Sequence, residues 1–178
     1  MRNIDADLEA WLLCTAPRAI AYARSLIHHP DDAEDLVHDV LLRLLNHNEY
    51  DLLKDGEKLL FRSVTNACIN RQARAHEMAS LDAWLSEDGG TLHEIVGSGR
   101  SDPVELAISR ELAVAIEREL RGLPPLQRAA VELRSMDKPL KEIAEILGLT
   151  ATNAGVLVCR GRKLLAERLA PHIREFNR

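Results

Sequence analysis

One stretch constrains this chain more than any other: KPLKEIAEILGLTATNAGVLVCRGRKLL, residues 138–165. Pro139 has the fixed φ and missing N–H that suit the first position of a helix. Ile143, Ala144 and Leu147 follow at a spacing that puts them on one helical face. Gly148 permits a sharp reversal, and Thr150 stands where its hydroxyl caps the next helix. Small Ala144 lets the two helices approach closely. The stretch therefore predicts a helix-turn-helix; an ordinary helical hairpin shares the apolar spacing without the coincident glycine turn and cap. At about 100° per residue, Ala154, Val158, Gly161 and Leu165 of the second helix point inward. Gly155, Val156, Cys159, Arg162 and Lys163 point outward, with Arg160 at the edge. The seven positions Asn153 to Cys159 carry no charge.

The rest of the chain is consistent with helices. Only six of 178 residues are aromatic, Leu and Ala abound, and Gly and Pro cluster at a few places. The stretch SEDGGTLHEIVGSGRSDP, residues 86–103, lacks a helical period and is long for a connection inside one domain. The expected fold is all-α, with two small helical domains joined by a flexible linker: residues 1–80, a linker at 81–103, and 104–178 containing the helix-turn-helix. Charge follows this division. Lys and Arg number 9 against 13 Asp and Glu in 1–80, 1 against 5 in 81–103, and 13 against 10 in 104–178. An acidic front, an acidic middle and a mildly basic tail imply partners of different character.

Several function classes find no support. No apolar run approaches the roughly 20 residues needed to span a bilayer, and the acidic start MRNIDADLEAWLL lacks the basic flank of a signal peptide, so a cytoplasmic protein is expected. Cys14, Cys68 and Cys159 are too far apart for a zinc or redox motif, which predicts reduced, mostly buried thiols. His28, His29 and His38 show no metal-ligand spacing. No nucleophile–base pair or phosphate loop stands out either, so neither an enzyme nor a cofactor is expected.

In the first half, Pro30-Asp31-Asp32 ends one helix and begins another, with Asp31 and Glu34 spaced as a capping box. Leu36, Val37, Val40, Leu41 and Leu44 form its core stripe. Asp32, Asp35, His38, Asp39 and Leu42 form the opposite face, which fits a solvated surface and also a docking surface for a basic helix. After the polar stretch NHNEYDLLKDGEK, a helix is predicted over 59–75. Leu60, Val64, Ala67 and Cys68 are its apolar positions; Arg62, Asn66, Asn70, Arg71 and Arg74 are donors suited to bases and phosphates, and equally ordinary surface residues. In the second half, Leu106, Leu112, Ile116 and Leu120 mark an amphipathic helix that stops at Gly122 and Pro124-Pro125. LQRAAVELRSM makes the next helix, ending in a turn around Asp137.

HPDDAEDLVHDVLLRLL, followed after a linker by LPPLQRAAVELRSMDKPLKEIAEILGLT and the basic RGRKLL, closely resembles the bacterial RNA polymerase sigma factors of the extracytoplasmic-function (ECF) group. The resemblance covers nearly the whole chain in order. It implies that the first domain is sigma region 2, docking on the beta-prime clamp helices of core polymerase through Asp35, Leu36, His38, Asp39 and Leu42. Family members often carry Gln at the position of His38. The helix over 59–75 would meet the −10 promoter element through Asn66, Asn70, Arg71 and Arg74, with Leu59 where Trp is common.

The linker would thread through the polymerase, although its composition also fits a simple tether. The second domain would be region 4, beside the beta flap, binding the −35 element through Thr152, Asn153, Gly155, Arg160, Arg162 and Lys163. The family usually has Lys or Arg at the positions of Gly155 and Leu157. An Arg bound to guanine through two hydrogen bonds discriminates by roughly 1–3 kcal/mol, so their loss relaxes that readout while phosphate anchoring persists. The implied function is promoter recognition and melting in transcription initiation, regulated in trans by an anti-sigma factor or other partner. Two alternatives stay open: a helix-turn-helix regulator acting through the tail alone, and a sigma-like adaptor whose Gly155, Val156, Leu157 and Cys159 meet a protein.

Overall fold

The computed structural model describes residues 4–27, 30–47, 51–81 and 103–176 of the 178. His28, His29 and nearly all of the expected linker lie outside them. Every regular element among the described residues is an α-helix: α1 (Ile4–Leu26), α2 (Pro30–Asn46), α3 (Leu52–Leu81), α4 (Pro103–Arg121), α5 (Pro125–Ser135), α6 (Leu140–Leu147) and α7 (Ala151–Phe176).

Helices α1, α2 and α3 pack pairwise around one core. The expected stripe of α2, Leu36, Val37, Val40, Leu41 and Leu44, is buried throughout and joins Ala19, Tyr22, Ala23 and Leu26 of α1 and Leu60, Phe61, Val64 and Cys68 of α3. Two local expectations change. Helix α2 starts at Pro30, so Asp31 lies inside the first turn rather than capping it, and Glu34 pairs with Arg24 of α1. Helix α3 starts at Leu52 rather than Leu59. Asp51 opens it, its carbonyl accepting from the N–H of Asp55 at 2.8 Å and its Oδ1 from the N–H of Lys54 at 3.3 Å. The polar stretch before Leu59 is thus largely helix, and Gly56 within it lies against the Trp11 ring.

In the second half, α4, α5 and α6 all pack on α7. Pro124 precedes α5, and the helix ends in a turn where Asp137 takes φ +60. Pro139 precedes α6, Gly148 closes it in the left-handed region at φ +67, and the Leu149 N–H returns to the Ala144 carbonyl at 2.8 Å. The Thr150 hydroxyl caps the Asn153 N–H at 3.2 Å, and α7 leaves α6 at 99°. The helix-turn-helix is built as the residue order required. Of the expected α4 stripe, Leu112 and Leu120 are half-buried and Ile116 is exposed, with Ala115 buried beside it; the side chain of Leu106 lies outside the described residues.

The two halves also pack on each other, α6 against α3 and α5 against α1. The buried apolar residues of both halves form one cluster, and paired charges lie at the joint beside it. Lys138, only 7% exposed, places Nζ 2.9 Å from Glu57 and 2.6 Å from Glu142, and 5.6 Å from the centre of the Phe61 ring. Lys58 pairs with Glu145 at 3.1 Å. Nearby, the Thr65 hydroxyl donates to the Phe61 carbonyl at 2.6 Å, which leaves Tyr22 to donate to Thr65 at 2.8 Å. Arg128 is 2% exposed, and burial brings its guanidinium down to about 10. Burial also raises the Glu132 carboxyl, one turn further along α5.

The thiols divide against expectation, with Cys68 buried but Cys14 and Cys159 exposed. Burial pushes the Cys68 thiol up to about 12 and raises the Tyr22 hydroxyl further still. Because the folded values exceed the unfolded ones, this stabilisation is complete below the unfolded Cys value near 9 and is lost as pH rises toward 12. Denaturant unfolding should show stability falling across that window, with Cys68 contributing a slope of about 1.4 kcal/mol per pH unit. Cys68→Ala should remove its share of the slope and leave that of Tyr22.

The glycines of α7 are not equivalent. A Cβ on Gly161 would sit 2.6 Å from a Val131 methyl and 3.3 Å from the Gln127 carbonyl, so the absent side chain lets α5 and α7 touch. A Cβ on Gly155 would meet only Leu140, at 3.7 Å. Gly161→Ala should therefore lower the melting temperature, overpacking outweighing helix propensity, whereas Gly155→Ala should stabilise by about 1 kcal/mol. Thermal unfolding of the two variants checks the opposite signs.

Candidate docking and nucleic-acid surfaces

Three surfaces lie outside the joint. The first is the outer face of α2, where Asp35, His38, Asp39 and Leu42 are exposed in successive turns. Leu42 stands 59% exposed among carboxylates, and Asp39 makes only a loose pair with Arg43 at 3.9 Å. Leu36 does not share this face. At 8% exposure it belongs to the core, because one residue along a helix turns the side chain by about 100°.

The second surface is a winding stripe along α3, where Arg62, Asn66, Asn70 and Arg74 recur at every fourth position and all are exposed. Arg71 stands beside the stripe and pairs with Asp32 of α2 at 2.6 Å, so contacting a phosphate would mean exchanging that partner. Gln72, which carried no functional signal, donates to the Leu26 carbonyl and holds the end of α1 against α3.

The third surface is the outer face of the helix-turn-helix. Thr152, Asn153, Val156, Cys159, Arg160, Arg162 and Lys163 are exposed, and Lys163 reaches Glu167 only at 4.0 Å. Arg160 and Arg162 pair with no carboxylate among the described residues. Gly155 is half-buried beside Leu140, and Leu157 packs toward the core rather than outward. Between α6 and α7 opens a shallow hollow of about 420 Å³, lined by Arg134, Leu140, Gly155, Val158, Cys159 and Arg162. Arg134 is oriented by donating to the Lys138 carbonyl at 3.0 Å. Periodicity along α7 could not reveal Arg134 and Leu140, since they arrive from α5 and α6.

The arrangement matches known proteins in the same order. The family model for sigma-70 region 2 matches residues 11–77, and that for sigma-70 region 4 matches residues 113–165. The ECF RNA polymerase sigma-E factors of Escherichia coli (strain K12) and Shigella flexneri are each 29% identical over 122 residues, 65% of this chain and 61% of theirs. The match thus spans about three fifths of these relatives' length. The fold is that of the Bartonella quintana sigma factor RpoE, solved with the anti-sigma factor NepR, at a TM-score of 0.69 and 24% identity over 92% of this chain and 97% of that one. The chain belongs to the sigma-70 family, and the relatives it resembles are of the ECF group.

Burial separates two α2 leucines that look alike in sequence. Leu36→Ala should cost about 2–5 kcal/mol of stability in denaturant unfolding. Leu42→Ala should leave stability within about 0.5 kcal/mol, because its side chain is already exposed.

Proposed function

We propose that this chain is a promoter-specificity subunit, directing core RNA polymerase to a set of promoters and assisting their melting. Three outward faces in one chain carry the reading: the acidic α2 face with its exposed Leu42, the donor stripe of α3 and the helix-turn-helix of α6 and α7. Asp35, His38, Asp39 and Leu42 dock on the beta-prime clamp helices, carboxylates steering toward basic groups while Leu42 excludes water. Asn66, Asn70 and Arg74, with Arg71 once it leaves Asp32, hold the −10 strand by trapping unstacked bases. Region 4 settles near the beta flap. There Thr152, Asn153, Arg160, Arg162 and Lys163 grip the −35 element, and Gly155 admits the backbone close to it.

In this reading residues 1–80 form the polymerase-docking domain and 104–178 the −35 domain. The chain works in the cytoplasm with no catalysis of its own, and no single helix among the described residues is long and apolar enough to cross a membrane. A regulator in trans fits the Bartonella quintana relative, which was solved with an anti-sigma factor. A regulator acting through the tail alone would leave the α2 face without a role.

Size adds a requirement. A compact body of this length has a radius of gyration of about 16 Å, hence a breadth of roughly 40 Å. Elements at −10 and −35 lie about 25 base pairs apart, roughly 85 Å of duplex at about 3.4 Å per base pair. The halves must part at the Lys138 joint to reach both. Asp35→Lys with Asp39→Lys should abolish core-polymerase binding and run-off transcription while the helical circular dichroism stays unchanged. Undiminished binding would remove the α2 face from the interface.

A further inference from the structure

A helix lying in the major groove meets base edges with its outward side chains, and on α7 these are not the usual donors. Val156 is 40% exposed, and its chain neighbour Gly155 lines the hollow with Cys159 and with Leu140 at the start of α6, which is 41% exposed. Arg134 and Arg162 stand at the sides of this hollow, with Arg160 and Lys163 exposed further along α7. An apolar centre flanked by guanidinium groups suits a surface that is apolar locally and strongly anionic around it. Duplex DNA has that pattern wherever a thymine methyl projects between two phosphate rows.

The major-groove edges decide which base pairs fit. A G·C pair presents only donors and acceptors there, and Val156 or Leu140 against them would displace water without replacing its hydrogen bonds. An A·T pair presents the thymine C5 methyl, which an apolar side chain covers favourably. Val156 is well made for this because a β-branched side chain in a helix is nearly confined to one rotamer. Gly155, on the preceding position, lets the duplex approach the hollow closely.

We propose that Val156, with the hollow between Leu140 and Cys159, is the specificity determinant of the −35 contact, selecting thymine methyl groups in place of the guanine edges a basic helix would read. The inference rests on the reading that α7 enters the major groove at −35. Arg134, Arg160, Arg162 and Lys163 then hold phosphates and set affinity without choosing sequence.

The test uses holoenzyme reconstituted from the full chain and core RNA polymerase, selecting from promoter duplexes randomised across the −35 region. Thymines should be enriched beneath the first two turns of α7. Replacing them with deoxyuridine in the selected promoter removes only the methyl groups and should weaken wild-type binding about fourfold per buried methyl. Holoenzyme carrying Val156→Ala should distinguish thymine from deoxyuridine less well. Enrichment of G·C pairs, or binding indifferent to deoxyuridine, overturns the thymine inference alone. A flat selection at −35 with core binding intact overturns the −35 reading and the inference together.

Discussion

The arrangement of the molecule turns on one buried ammonium group. Lys138 sits at the turn between α5 and α6, held by Glu57 of α3 and Glu142 of α6 above the face of Phe61. Removing such a charge from water is costly, and the two carboxylates and the ring offset that cost only while the halves stay in register. Its own carbonyl also accepts from Arg134, so the residue that joins the halves helps shape the hollow beside α7. Around it, the Tyr22–Thr65 hydrogen bond and the Lys58–Glu145 pair extend the polar character of the joint.

The joint combines apolar contact with paired charges, and the charges have a consequence of their own. Interfaces between parts of one chain that separate in use are more polar than permanent ones, because each surface must tolerate water when exposed. Glu57, Lys58, Lys138 and Glu145 can do so readily. The buried Arg128 and the raised carboxyl of Glu132 gain solvation when the contact loosens. The joint borders two of the other surfaces, Lys58 lying one turn before Arg62 and the Lys138 carbonyl holding Arg134 of the hollow. Asp35, His38, Asp39 and Leu42, the α3 donors, and Arg160, Arg162 and Lys163 all remain exposed in the packed form.

Much of this was legible from residue order wherever the cause was local. The Pro139–Gly148–Thr150 punctuation produced the turn and cap it implied, and the five apolar positions of α2 all became core. Local reasoning failed where a neighbour intervened. The helix predicted over 59–75 leaves out the polar stretch before Leu59, yet Asp51 opens a helix there and Trp11 lies against Gly56. Asp31 and Glu34 had capping-box spacing, but Arg24 drew Glu34 away. For Leu36 the local spacing was right, placing it in the core stripe, whereas the family resemblance implied docking.

By itself, then, the sequence determined the helical class, the helix-turn-helix, the acidic face of α2 and the uncharged start of α7. All of these follow from spacing along a single helix or across one turn. Tertiary structure decided that Arg71 is tied to Asp32, that Gly161 exists for the contact with α5, and that Arg134 and Leu140 join Gly155 and Cys159 around one hollow. These depend on how helices distant in sequence meet. That meeting depends on packing volume and on the burial of a few paired charges, which no periodicity within one segment encodes.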